Sequence, residues 1–114
     1  MEIINSRILV KYIKKNKGNS RLSKEINELI EMIESSSWSS DKEIKKKRPD
    51  ADRVHTNGCY FFDIHLDRTL ILIEFNKERA MILWCGSHQD YERTFRNNKK
   101  TIKKWLIERK IIDK

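Results

Sequence analysis

Apolar positions recur at spacings of three and four twice in the first third of the chain. Ile8, Leu9, Tyr12 and Ile13 form one stripe; Leu22, Ile26, Leu29, Ile30 and Ile33 form a longer one. These periods predict helices over Ser6–Lys17 and Ser20–Ser35, each burying one face. Ser6 stands as the N-cap of the first, Lys14, Lys15 and Lys17 suit its C-terminal dipole, and Gly18 stops it. Asn19 or Ser20 opens the second, whose Glu25, Glu28, Glu31 and Glu34 read as a solvated face. Ahead of both, Ile3 and Ile4 make Met1–Asn5 a short edge strand. Ser35-Ser36-Ser37 breaks the second helix and Trp38 anchors the loop. Ser40-x-x-Glu43 is a capping-box pattern opening a short helix or turn over Asp41–Arg48, closed by Pro49.

From Asp52 the period falls to two. Asn57-Gly58 is a hairpin signal joining Arg53–Thr56 to Cys59–His65, and Leu70–Phe75 and Ala80–Cys85 follow. The intervening stretches, Leu66–Thr69 and Asn76–Arg79, read as loops of equal length and set an expected register. Tyr60, Phe62 and Ile64 then oppose Phe75, Ile73 and Ile71, which in turn oppose Ala80, Ile82 and Trp84. All fall on one face, the expected core against the two helices. The other face carries Phe61, Asp63, His65, Leu70, Leu72, Glu74, Met81, Leu83 and Cys85. It is too apolar to stay wet, so the C-terminal segment is expected to cover part of it.

That segment reads as a helix through Tyr91, Thr94 and Phe95, a break near Asn97-Asn98, and a basic amphipathic helix carrying Ile102, Trp105, Leu106 and Ile112. The fold class is therefore α+β: two N-terminal helices packed on an antiparallel sheet of three to five strands, with a basic C-terminal helix. The 114 residues form a single domain, residues 1–114.

The chemistry centres on Gly86-Ser87-His88-Gln89-Asp90-Tyr91-Glu92. A glycine ends an apolar strand, and Ser87-x-x-Asp90 forms a capping box. His88 then sits on the first helical turn, where free amides and the helix dipole attract a phosphate oxygen and resist protonation of an imidazole. Tyr91 lies one turn on, on nearly the same face. An imidazole, a phenol and anion-binding amides suit phosphodiester chemistry.

Charge narrows the partner. The formal net charge is +8, which points to a polyanion, and RNA, DNA and an acidic protein all fit. Lys45, Lys46, Lys47 and Arg48, with Arg53 nearby, form the densest basic run. No apolar run is long enough for a membrane span, and Met1–Asn5 lacks the regions of a signal peptide, so a cytoplasmic protein is expected. Cys59 and Cys85 read as buried thiols. With His55, His65 and His88 they match no zinc-ligand spacing, so no metal or other cofactor is expected. With only three glycines and no glycine-rich phosphate loop, nucleotide-triphosphate chemistry is poorly supported.

Arg48-Pro49-Asp50-Ala51-Asp52-Arg53-Val54, the meander through Phe62-Asp63-Ile64 and the Gly86–Glu92 stretch, taken in that order, resemble the HigB family of bacterial toxins in the RelE-like superfamily. The last stretch is similar to that family's Gly-Thr-His-x-x-Tyr-Asp signature. The resemblance implies a type II toxin–antitoxin mRNA interferase, an endoribonuclease that cuts messenger RNA at the ribosome by metal-independent attack of a ribose 2′-hydroxyl. It also implies a cognate, HigA-like antitoxin, for which the charge suggests an acidic contact segment. His88 and Tyr91 fall on the signature's histidine and tyrosine. Many relatives place arginines on the exposed sheet face, at positions that correspond here to Leu70 and Leu83. The scissile phosphate must then be met by other cations. Arg68 and Arg93 are the catalytic candidates, with Lys46, Lys47, Arg48, Arg53, Arg79 and Arg96 as RNA-binding candidates. Two alternatives stay open: a toxin that acts by binding without chemistry, and a small RNA-binding module.

Overall fold

A computed structural model describes residues 1–113. Five strands form one sheet: β1 (Glu2–Ile4), β2 (Asp52–His55), β3 (Cys59–Ile64), β4 (Asp67–Glu74) and β5 (Arg79–Ser87), in spatial order β1-β5-β4-β3-β2. β1 runs parallel to β5 and every other pairing is antiparallel, so the sheet is mixed rather than purely antiparallel. A parallel neighbour needs a long crossover. Here everything from Asn5 to Glu78 separates β1 from its partner in sequence.

One face carries α1 (Arg7–Lys15) and α2 (Ser20–Glu34). Leu9, Leu22, Ile26, Leu29 and Ile33 pack there with Tyr60, Phe62, Ile64, Ile71, Ile73 and Ile82, as the two periodicities require. Asn19 caps α2, its side chain accepting from the Leu22 amide at 3.0 Å. Ser6 makes no side-chain cap on α1; Asn5 ahead of it turns the chain with φ 67°. The short helix α3 (Asp41–Lys47) is capped by Ser40, and its Ile44 is fully buried. Glu43 reaches back to the Ser39 amide at 2.7 Å, one residue earlier than a capping box would place it.

The other face is covered by α4 (His88–Phe95) and α5 (Lys99–Glu108), which bury Phe61, Leu70, Tyr91, Phe95, Ile102, Trp105 and Leu106. The expected cover over this face is present, and the chain beyond α5 adds Ile111 and Ile112 to it.

The strand register differs from the sequence expectation. Ile64 opposes Asp67, not Ile71, because β3 and β4 join through a tight turn at His65-Leu66, with His65 at φ 59°. Phe62 accordingly opposes Thr69, and Tyr60 opposes Ile71. The slip is an even number of residues, so no side chain changes face. The β2–β3 connection spans Thr56–Gly58, one residue longer than a two-residue hairpin, and β2 carries a bulge between Arg53 and His55. Gly58 adopts φ 102°, and a Cβ there would meet the Ile73 carbonyl oxygen at 2.5 Å.

In the β4–β5 hairpin, Ala80 opposes Ile73, not Phe75, and Ile82 opposes Ile71, not Ile73, because Phe75 leaves the strand for the connecting turn. A bulge between Leu70 and Ile71 then shifts the pairing by one, and Trp84 opposes Leu70. This odd shift exchanges the faces of the last residues of β5. Trp84 joins the α4–α5 side instead of the expected α1–α2 core, and Cys85 takes the reverse course. The buried Thr69 hydroxyl donates to the Trp84 carbonyl at 2.8 Å, supplying that oxygen with a partner beside the irregularity.

Candidate active site

The bulge sets where β5 ends and therefore where α4 begins. Trp84 folds edge-on against Phe61 and Phe95, with ring centroids 6.3 and 5.0 Å away. Only a residue without a side chain fits at Gly86, since a Cβ would lie 2.5 Å from the Trp84 ring. Ser87 is still paired with Asp67 in the sheet and caps α4, its hydroxyl accepting from the Asp90 amide at 3.1 Å. The reciprocal half of the expected capping box is replaced by an ion pair, Asp90 to Arg93 at 3.4 Å.

His88 is the first residue of α4 and is exposed. Its ring stands edge-on to Tyr91, centroids 5.9 Å apart. Tyr91 is only 2% exposed and donates its hydroxyl to Asn97 Oδ1 at 2.9 Å. Burial raises its phenol pKa against the opposing pull of Arg68. Tyr91 thus lies buried, with its hydroxyl engaged by Asn97.

Arg68 lies across the Tyr91 side chain. Its guanidinium is 4.7 Å from the Tyr91 ring centre and 5.7 Å from that of Phe61, and its Nε donates to Asp63 Oδ1 at 2.9 Å. Asp63 is itself held through its backbone. Its amide donates to Asp50 Oδ2 at 2.9 Å and its carbonyl accepts from Arg48 Nη2 at 2.7 Å. Arg48 closes the clamp with paired bonds to Asp50 at 2.7 and 2.8 Å. Burial alone would raise the Asp50 carboxyl, but Arg48 and the Asp63 amide hold it below the usual carboxylate range. The result is a linked series, Arg48–Asp50–Asp63–Arg68–Tyr91, that orders one cation.

Asp67, at the start of β4, adds a carboxylate to the same end of the sheet. Burial, with Asp90 adding to it, raises the Asp67 carboxyl against the opposing pull of Tyr12, His65 and His88. Glu25 of α2 holds the neighbouring turn by accepting from the His65 amide at 2.8 Å. Burial pushes both cysteine thiols up to about 12, which keeps them protonated near neutral pH.

Of the residues singled out from sequence, His88 and Arg68 each contact the Tyr91 ring, and Arg93 lies near His88 on the exposed side of α4. His88, Gln89, Glu92 and Arg93 line a shallow open depression of about 470 Å³. The others are spread over the molecule. Lys46 and Lys47 lie on α3, and Arg48 is spent on Asp50 and Asp63. Arg79 begins β5, at the end remote from His88, and pairs with Glu74 at 3.0 Å. Arg96 is exposed at the left-handed C-cap of α4. Arg53 lies on the edge strand β2 and donates to the Thr56 carbonyl at 2.9 Å. Leu70 is fully buried and Leu83 is half-buried against the same α4–α5 cluster, so the two positions form no open sheet platform. Asp50, Asp63, Asp67 and Asn97 were not singled out from sequence. A two-residue turn at His65-Leu66 puts Asp63 opposite Arg68, and that spacing was the available signal for the pair.

The family model for HigB_toxin, described as the RelE-like toxic component of a toxin–antitoxin system, matches residues 22–94. No curated protein matches the chain.

Proposed function

We propose that this chain, which belongs to the HigB family of RelE-like toxins, acts as an endoribonuclease on messenger RNA at the ribosome. Membership implies an antitoxin partner. The observation that supports the chemistry is an exposed imidazole at a capped helix start, edge-on to a tyrosine ring that also carries an arginine fixed by Asp63.

In this reading unprotonated His88 accepts the proton of a ribose 2′-hydroxyl, and the freed oxygen attacks the adjacent phosphorus. The bond from phosphorus to the 5′-oxygen breaks, and that oxygen collects a proton from the water to which the depression is open. The products are a 2′,3′-cyclic phosphate and a 5′-hydroxyl. Arg68 meets the charge that develops on the phosphorane oxygens, and Tyr91 with Asp63 keeps its guanidinium from swinging away. Arg93, exposed on the next turn of α4, orients the incoming strand.

A toxin that acts by binding alone is the second reading. It is favoured by Leu70 and Leu83, apolar side chains packed toward the α4–α5 layer, which leave Arg68 as the cation held on that face of the sheet. His88→Ala separates the two. Loss of RNA cleavage and of growth inhibition by about a hundredfold or more is expected if His88 moves the proton. An equally toxic variant assigns the protein to the second reading. Folding is not at issue, because His88 is exposed.

A further inference from the structure

A second concentration of charge lies away from His88. Arg53, His55 and Thr56 of the β2 edge face Lys99, Lys100 and Lys103 of α5 across a groove of about 610 Å³, and among the described residues no carboxylate lines it. Among the described residues none of these three lysines is in an ion pair. Their position runs against helix stability. All three fall within the first five residues of α5, where the dipole disfavours cations, and no acidic residue occupies the first turn. Two of the free amides there are already taken, since Asn98 Oδ1 accepts from Lys100 and Thr101 at 2.8 and 3.3 Å. The lysines are thus surplus to the fold, and their charge is available to a ligand.

We propose that this groove is a second RNA-binding surface, holding the phosphodiester backbone of a single-stranded segment by charge without reading its bases. RNA as the polyanion rests on the ribonuclease reading; the groove's charge does not. A phosphate backbone suits it better than an acidic peptide does. The lining residues offer a run of one sign of charge and no aromatic side chain, and their one hydrophobic residue, Val54, is buried, whereas peptide and protein partners are anchored by large side chains in exposed pockets. The groove also connects to the candidate site. α4, eight residues and so about 12 Å long, runs from His88 to the Asn97-Asn98 link that opens α5. α5 lies outside the residues matched by the family model and Arg53–Thr56 inside them, so the lysine wall of the groove comes from an element of this chain beyond that match.

The test is binding of an oligonucleotide of about twelve 2′-O-methyl nucleotides, which lacks the attacking hydroxyl, followed by fluorescence anisotropy over a salt series. The full chain carrying Lys99→Glu, Lys100→Glu and Lys103→Glu is compared with one carrying Lys11→Glu, Lys14→Glu and Lys15→Glu on α1, an equal charge change on the opposite layer. The α5 changes favour the helix dipole, and circular dichroism checks that the fold is kept. The groove variant is expected to lose about tenfold in affinity, and its salt slope to fall by about two, at roughly 0.7 for each phosphate it no longer neutralises. The α1 variant should lose markedly less. Equal losses in the two variants, no loss in the groove variant, or displacement of the oligonucleotide by polyglutamate as readily as by RNA would each overturn the proposal. Because the probe cannot be cut, a His88→Ala protein that still cleaves RNA undoes the catalytic assignment and leaves the groove result standing.

Discussion

The guanidinium of Arg68 lies 4.7 Å from the centre of the Tyr91 ring while its Nε donates to Asp63. A cation over an aromatic face with a carboxylate at its edge has little freedom, and a preorganised cation contributes most to a phosphorane-like transition state. Arg68→Lys keeps the charge and loses the planar fork. RNA cleavage is expected to fall by about a hundredfold, near the range for losing an oxyanion donor. Asp63→Asn keeps an acceptor for Nε and should show a smaller loss. Single-turnover cleavage of a model RNA measures both, and equal activity in Arg68→Lys would remove Arg68 from the chemistry.

Tyr91 separates ring from hydroxyl. Tyr91→Phe keeps the surface under Arg68 and removes only the bond to Asn97, so stability should fall by about 1 kcal/mol. Cleavage should fall by no more than about tenfold, the equivalent of about 1.4 kcal/mol. Tyr91→Ala opens a cavity against Phe61 and Phe95 and is expected to cost about 3–5 kcal/mol. Denaturant titration of the two variants checks the difference.

Thr69→Val tests the bulge. Valine preserves the shape, but the Trp84 carbonyl loses the hydroxyl that donates to it at 2.8 Å. The cost of an unsatisfied buried acceptor is about 1–3 kcal/mol. A melting temperature unchanged from the parent would show that the carbonyl finds another partner.

The Arg48–Asp50 clamp predicts an acid-sensitive fold. The Asp50 carboxyl is held below its ordinary value, so its contribution is present above the unfolded pKa of about 3.9 and is lost as pH falls through the lower folded value. Asp50→Asn should cost about 1–3 kcal/mol near neutral pH, as expected for losing charged hydrogen bonds. It should also flatten the acid limb of the melting temperature against pH. A parallel downward shift at every pH would assign the loss to packing instead.

An antitoxin partner follows from membership of a toxin–antitoxin family, and the toxin's net charge of +8 leads us to propose an acidic contact segment on it. Association steered by charge is fast and screened by salt. The association rate should drop by about tenfold or more between roughly 0.05 and 0.5 M salt, read by stopped-flow mixing. A rate indifferent to ionic strength would point to an apolar contact surface.

Periodicity alone placed the two layers of this protein. Stripes at three and four marked α1 and α2, alternation marked β3 to β5, and the apolar second face announced its cover by α4 and α5. The Ser87 cap and the neighbourhood of His88 and Tyr91 were legible for the same reason: they depend on residues three or four apart. Register was not legible. The tight turn at His65-Leu66 and the bulge at Leu70/Ile71 are choices among alternative pairings that bury similar surface, and local sequence barely distinguishes them. Tertiary structure made those choices, and with them put Asp63 opposite Arg68 and turned Trp84 to the α4 side. It also brought Arg53 beside Lys99, since residues far apart in sequence meet only when both cores close.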